Sequence, residues 1–172
     1  MRREDLYAPR WVSADQEPDD LWTEILPGLW MGGTHDEDWI NTSKDLEGFE
    51  HDVPFDAVVT LFSWAHPMPW GIEELRWGVA DGAMQHVDEA RLFRIVDWAY
   101  ERWQSGDKVL IRCQAGMNRS GLVTALVLMK ADYSAEDAIQ LLRSQRAEVV
   151  LFNNHFVDYL VGLDSANKPV DS

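Results

Sequence analysis

The chain has 172 residues with 15 basic and 30 acidic side chains, a formal charge of −15. A length of this order suits one domain that buries roughly 70% of its unfolded surface, and at 46% apolar and 11% aromatic it is too hydrophobic for a disordered acidic tail. The charge argues against a general nucleic-acid binder, which needs a basic footprint, and a single cysteine, Cys113, excludes an intrachain disulfide framework.

The first 20 residues hold no apolar run that could serve as a signal peptide. The longest apolar run, Leu122 to Met129, is interrupted by Thr124 and falls far short of the ~20 residues of a membrane span. The expectation is a soluble, cytoplasmic protein. Its charge is uneven. Residues 1–56 carry 4 basic and 15 acidic side chains, a balance of −11, whereas residues 108–146 carry 6 basic and 3 acidic ones, a balance of +3. Such a local field matters more than net charge for capture of a small anion, although bases of this kind mostly sit on solvated helix faces.

Residues 1–20 are polar and aperiodic and read as a tail, pinned by Tyr7 and Trp11. Glu24 to Gly33 reads as two short strands around a Pro27-Gly28 turn. The acidic stretch Asp36 to Pro54 has room for a short helix. Ala57 to Phe62 is a buried strand by its β-branched content. Ser63 to Gly71 is a loop holding Trp64, His66 and Trp70, Glu74 to Ala80 a weaker strand and Asp81 to Val87 a connection. Asp88 to Ser105 reads as a helix with Leu92, Val96, Ala99 and Trp103 on one stripe, ended by Gly106. Val109 to Arg112 is a strand, Cys113 to Asn118 a short loop and Arg119 to Lys130 an apolar helix. Ser134 caps a further helix to about Arg146, with Asp137 at its third position. A last helix runs from about Asn154 to Leu163. Strands alternating with helices predict an α/β layered fold.

The informative stretch is Val109-Leu-Ile-Arg-Cys-Gln-Ala-Gly-Met-Asn-Arg-Ser-Gly121. A cysteine ends a strand, and an arginine and a serine open the next helix. A helix start carries unpaired N–H groups and about half a positive charge. A tight loop feeding it aims further N–H groups inward, which makes a bowl for one tetrahedral oxyanion. Gly116 lets that loop take backbone angles that other residues resist. Arg119 can fork onto two phosphate oxygens. The same field pushes the Cys113 thiol toward its nucleophilic thiolate.

This pattern of Cys, five residues, Arg and Ser resembles the cysteine-based protein tyrosine phosphatases. The form Gly-x-Asn-Arg-Ser-Gly, with no lysine in the loop, is most similar to their compact dual-specificity subgroup. Asp81, 32 residues before Cys113, lies where that subgroup carries its general acid. Ile25 to Gly32 upstream, and Arg146 with Asn153-Asn-His-Phe156 and Tyr159-Leu160 downstream, resemble its opening and closing segments. The resemblance spans about residues 24–163. It implies one α/β domain over 21–165, with a central, mostly parallel sheet of four or five strands flanked by helices. Residues 1–20 and 166–172 are then tails.

The resemblance further implies hydrolysis of phosphotyrosine, and by extension phosphoserine and phosphothreonine, through a phosphocysteine, without cofactor or metal. Cys113 is then the nucleophile and Asp81 the general acid and base. Gln114, Ala115, Gly116, Met117, Asn118 and Arg119 hold the phosphate, and Ser120 donates to the sulfur. Asp88 is the reserve acid, though a helix cap is its simpler role. Trp64, His66 and Trp70 are candidates for the substrate rim, because loops at the carboxyl ends of strands border the cleft in α/β sheets. Asn153 or Asn154 is a candidate tether for the catalytic loop.

One departure is Arg112, where the family usually has histidine. Either its charge acts on the sulfur or its side chain reaches solvent. Partners implied are phosphorylated proteins or peptides, with neither nucleic acid nor membrane expected and the oligomeric state left open. The alternatives are a phosphate-reading module with poor turnover, or a phosphatase of phosphoinositides or RNA 5′-phosphates. The last two usually want a more basic surround than Gln114, Ala115 and Met117 provide.

Overall fold

The computed structural model describes residues 3–7, 13–35 and 53–167. Five strands, β1 (Trp22–Leu26), β2 (Leu29–Gly32), β3 (Ala57–Thr60), β4 (Glu73–Arg76) and β5 (Val109–Arg112), lie in the order β1-β2-β5-β3-β4. β1 and β2 form an antiparallel hairpin, turned at Gly28 with a φ of 83°, a conformation glycine adopts freely. The other neighbours are all parallel. β5, the cysteine strand, is therefore central, with all four of its residues buried. This is the doubly flanked position in which parallel strands read as continuous apolar runs.

The helices are α1 (Glu89–Gln104), α2 (Arg119–Lys130), α3 (Ala135–Gln145) and α4 (Asn154–Asn167). Strand alternation sends Val109 and Ile111 to one face and Leu110 to the other. The first face forms the main core with Val59, Met31 and the apolar sides of all four helices. On the second, Val58 and Leu110 pack with Phe55, covered by Trp22, Trp30, Val53, Met68 and Ile72. The rings of Trp22 and Trp30 meet Phe55 edge-on at 5.1 and 5.6 Å. No described helix joins that second cluster.

The local signals act where expected. Asp88 caps α1 by accepting from the Arg91 N–H at 3.0 Å, which leaves it occupied as a cap rather than as an acid. Ser134 caps α3 by accepting from the Asp137 N–H at 3.0 Å. Gly106 takes a φ of 97° after α1. The buried stripe of α1 is Leu92, Ile95, Val96 and Ala99. Trp103, assigned to that stripe, is only partly buried, because its indole N–H turns out to the Pro27 carbonyl of the hairpin at 2.9 Å. The strand expected over Glu74 to Ala80 is confined to Glu73–Arg76.

Near the start of the chain, Leu6 is buried in the main core and the Tyr7 hydroxyl donates to the Asp158 carboxylate on α4 at 2.5 Å. Tyr7 thus pins the segment as expected. Trp11 and most of the short helix considered over 36–54 lie outside the described residues.

Candidate active site

At the carboxyl end of β5 the chain turns through 113–118 and enters α2. Cys113 is 2% exposed. Its sulfur accepts from the Gly116 N–H at 3.3 Å and lies 3.3 Å from the Ser120 hydroxyl. The loop thus wraps its own backbone and the first turn of α2 around the sulfur. Ser120 is wholly buried. Arg119 lies 5.4 Å over the Phe62 ring, and its Nη atoms approach the Val79 carbonyl and the Gln114 side chain at 3.4 Å. Its Nε–H is buried and has no hydrogen-bond partner among the described residues. A buried donor of this kind costs free energy until an acceptor meets it.

The loop is shaped by contacts that local spacing does not reveal. Gly116 has a φ of 69°, and a Cβ there would lie 2.6 Å from the Gly33 nitrogen and 2.5 Å from Nη2 of Arg146. A Cβ on Gly33 would lie 2.6 Å from the Gln114 carbonyl oxygen. The Gly32-Gly33 pair ending β2 thus lets the hairpin touch the loop backbone, and the Thr34 N–H donates to the Gln114 carbonyl at 2.9 Å. Gly116→Ala is expected to cost about 2 kcal/mol or more from left-handed strain and overlap. Phosphatase assays and thermal melts on that variant check this.

Arg146, assigned only to a closing segment, spans from that loop to β1. Its Nε donates to the Gly116 carbonyl at 2.6 Å, and Nη1 donates to the Asp20 carbonyl at 3.1 Å and to the Thr23 hydroxyl at 2.8 Å. Burial pushes the guanidinium down to about 10, against the pull of Cys113 and Asp20, so it stays charged at neutral pH. Arg143 donates to the Val150 and Leu151 carbonyls at 2.9 and 3.3 Å, fixing the segment that leads to Asn153. The one signal in the sequence was the pair of arginines three apart, Arg143 in the last turn of α3 and Arg146 at its C-cap.

Asp81 is brought to the loop. Its carboxylate accepts from the Asn118 amide at 2.9 Å and from the Asn153 amide at 2.8 Å. Asn118 is 3% exposed and, although it stands at the N-cap of α2, its side chain caps no N–H of that helix. Met117 and Gly116 are also buried, whereas Ala115 is exposed and Gln114 half-buried. The residues expected to surround the anion therefore lie on one turn of backbone. Of the rim candidates, Trp64 is 52% exposed and Trp70 fully exposed. His66 enters through its backbone, whose carbonyl accepts from Arg112 at 2.6 Å.

Arg112 itself corrects the reading that its side chain reaches solvent. It is 1% exposed. It shares the face of Leu110, opposite Ile111, and there Nε donates to the Thr60 hydroxyl at 2.9 Å and Nη2 lies 3.3 Å from the Glu74 carboxylate. Glu74 also accepts from the Thr60 hydroxyl, the Met68 N–H and Arg76 at 2.6, 2.9 and 2.7 Å. Arg76 donates in turn to the Ala65 carbonyl at 2.6 Å. Arg112 thus ties the loop after β3 to the sheet.

A family model described as "Dual specificity phosphatase, catalytic domain" matches residues 71–165, which run from before Asp81 to beyond Asn153. The chain belongs to the dual specificity phosphatase family. It is accordingly a cysteine-based phosphatase. A relative from Invertebrate iridescent virus 6, named "Putative tyrosine phosphatase 123R", is 24% identical over 140 residues, covering 80% of this chain and 88% of the relative. Among solved structures, human DUSP28 superposes with a TM-score of 0.68 at 21% identity over 87% of this chain and 97% of that one. OH1 from the Orf virus, a tyrosine phosphatase described as having triple substrate specificity, superposes at 0.66 with 16% identity over 96% of both chains. The sheet and helices of this dual specificity phosphatase are thus those of its structural neighbours. The hairpin of β1 and β2 precedes the matched stretch, yet Thr23 of β1 holds Arg146 and Gly33, just after β2, lies against the loop backbone. No described helix is long and apolar enough to cross a membrane.

Proposed function

We propose that this dual specificity phosphatase hydrolyses phosphotyrosine, and by extension phosphoserine and phosphothreonine, in protein or peptide substrates, through a phosphocysteine and without a metal. The observation that carries this reading is the buried sulfur of Cys113, bonded to the Gly116 N–H at 3.3 Å on the same turn as the unpartnered Nε–H of Arg119. A nucleophile and a donor set for equatorial oxygens thus converge on one oxyanion-sized site.

In the first step the Cys113 thiolate attacks phosphorus in line. The S–P bond forms as the P–O bond to the leaving group breaks, and Asp81 gives that oxygen its proton. Arg119 and the amides of residues 114–119 hold the equatorial oxygens, most strongly in the transition state. In the second step ionised Asp81 takes a proton from water, the water oxygen bonds to phosphorus, and the S–P bond breaks. Ser120, 3.3 Å from the sulfur, donates to the departing thiolate. The chain's own positive groups supply the field that a metal would otherwise provide. Trp64, His66 and Trp70 belong in this reading to the segment bordering the substrate. The catalytic unit is residues 21–165, working in the cytoplasm.

The test is metal-free hydrolysis of aryl phosphates and of phosphopeptides bearing each phosphoresidue. Asp81→Asn is expected to lower kcat/KM for phenyl phosphate by about 10²–10⁴-fold and for an activated dinitrophenyl ester much less. Equal losses on both esters would remove Asp81 from the acid role.

A further inference from the structure

Asp81 lies on an exposed connection between β4 and α1, and an exposed connection does not by itself hold a carboxylate in place. Here both carboxylate oxygens are bracketed. Oδ2 accepts from the Asn118 Nδ2 at 2.9 Å and Oδ1 from the Asn153 Nδ2 at 2.8 Å. The two amides come from different elements, the turn entering α2 and the residue before α4. They are also joined to each other, since the Asn118 side-chain oxygen accepts from the Asn153 N–H at 3.0 Å. Asn153 Nδ2 donates additionally to the Gly82 carbonyl at 3.1 Å, which holds the backbone beside the acid as well as the acid itself. Asn118 is 3% exposed and gives up the capping of its own helix. Its amide is therefore committed to Asp81 and Asn153.

We infer that Asn118 and Asn153 form a two-amide clamp that positions Asp81 over the phosphate bowl. The inference rests on Asp81 being the general acid. The chemistry of the clamp is specific. Two N–H donors require two acceptor oxygens, which the carboxylate supplies in full and the protonated carboxyl through its carbonyl oxygen and the remaining lone pair of its hydroxyl, whereas a carboxamide matches only one side of the bracket. Because Asn118 belongs to the anion-binding turn and Asn153 to the start of α4, the clamp ties the acid to the bowl. Proximity of this kind acts on the step in which a proton is delivered, where a small misplacement is costly. The clamp residues act through Asp81 and are positioning residues.

Asn153 also accepts from the His155 N–H through its side-chain oxygen at 3.1 Å, so a truncation there would disturb the start of α4. Asn153→Ser keeps a capping hydroxyl and removes the amide donor. In that variant kcat/KM for phenyl phosphate is expected to fall at least about tenfold more than kcat/KM for 2,4-dinitrophenyl phosphate, whose leaving group needs little protonation. Asn118→Ser is expected to show the same asymmetry, and Asn153→Asp, which sets a second carboxylate against the first, a larger one. A melting temperature is taken for each to confirm folding. Equal losses on the two esters, or no loss on either, in folded Asn153→Ser would overturn the clamp. Asp81→Asn run beside it separates the two readings. If Asp81→Asn discriminates between the esters and Asn153→Ser does not, the clamp fails alone. If Asp81→Asn does not discriminate, the acid assignment fails and the clamp goes with it.

Discussion

Cys113→Ser is expected to abolish turnover, by at least about 10⁴-fold in kcat for p-nitrophenyl phosphate, and to leave the fold intact. A factor of that size corresponds to about 5.5 kcal/mol of transition-state stabilisation. The reason is chemical rather than steric. Serine is close to cysteine in size, so the packing around a side chain 2% exposed survives. A hydroxyl in the same seat gives up its proton far less readily than a thiol. The Gly116 N–H and the Ser120 hydroxyl that meet the sulfur at 3.3 Å still have an acceptor in the serine oxygen. In the proposed mechanism Arg119 and the loop amides bind the oxyanion, so the variant is expected to keep affinity for a phosphopeptide, measurable by calorimetry. Arg119→Lys in the same assay exchanges a planar fork for a point charge and is expected to cost about 10²–10³-fold. Turnover within tenfold of wild type in Cys113→Ser would refute the phosphocysteine route.

The largest expected effect on stability comes from Arg112→Ala, about 3–5 kcal/mol. Removing this buried guanidinium opens a cavity, takes from Glu74 one of its two counter-charges and leaves buried acceptors unmet. Glu74 would keep Arg76, but Thr60 would lose a donor at 2.9 Å and the His66 carbonyl one at 2.6 Å. Urea melts measure this loss, and it is large beside the 5–15 kcal/mol that holds a typical domain together. The double variant Arg112→Ala/Glu74→Ala is expected to lose less than the sum of the two single losses, because both single changes remove the same Arg112–Glu74 contact. A loss below about 1 kcal/mol in Arg112→Ala would show the network to be incidental.

The same network sets a pH dependence. Burial works to raise the Glu74 carboxyl, but the bonds from Thr60 and Met68 and the charges of Arg76 and Arg112 outweigh it and hold the carboxyl below its ordinary value of 4.5. The unfolded chain therefore takes up this proton first as the pH falls. The stabilisation is complete above about 4.5 and is lost as the pH drops through the folded value. Without Arg112 one of the lowering charges disappears, so the fall of stability below pH 4.5 is expected to be shallower. Melts between pH 3 and 6 on the two proteins compare the slopes.

The loop from β5 into α2 was legible because its spacing is local. Cys113, Gly116, Arg119 and Ser120 sit within eight consecutive residues, and a strand leading into an apolar helix sets their geometry. The Ser134 and Asp137 cap is legible for the same reason. Arg112 was not, since its partners Thr60 and Glu74 come from strands 52 and 38 residues earlier and meet it only once β3 lies between β5 and β4. Alternation alone did place Arg112 on the face opposite Ile111, which is the signal that the solvent reading passed over. Arg146 and Gly33 were hidden likewise. One reaches Gly116 from 30 residues away, and the other brings a hairpin into backbone contact that no side-chain pattern encodes. A tether was expected at Asn153 or Asn154, and it is Asn153 that reaches Asn118 and Asp81, partners 35 and 72 residues away that no local spacing reveals.

The placing of β5 bears on how the molecule comes into being. Both of its neighbours, β2 and β3, are synthesised well before it, so each is left with an unpaired edge until β5 is made. Nascent chains halted ahead of residue 109 thus carry half a sheet with open seams, the kind of intermediate prone to sticking to its fellows.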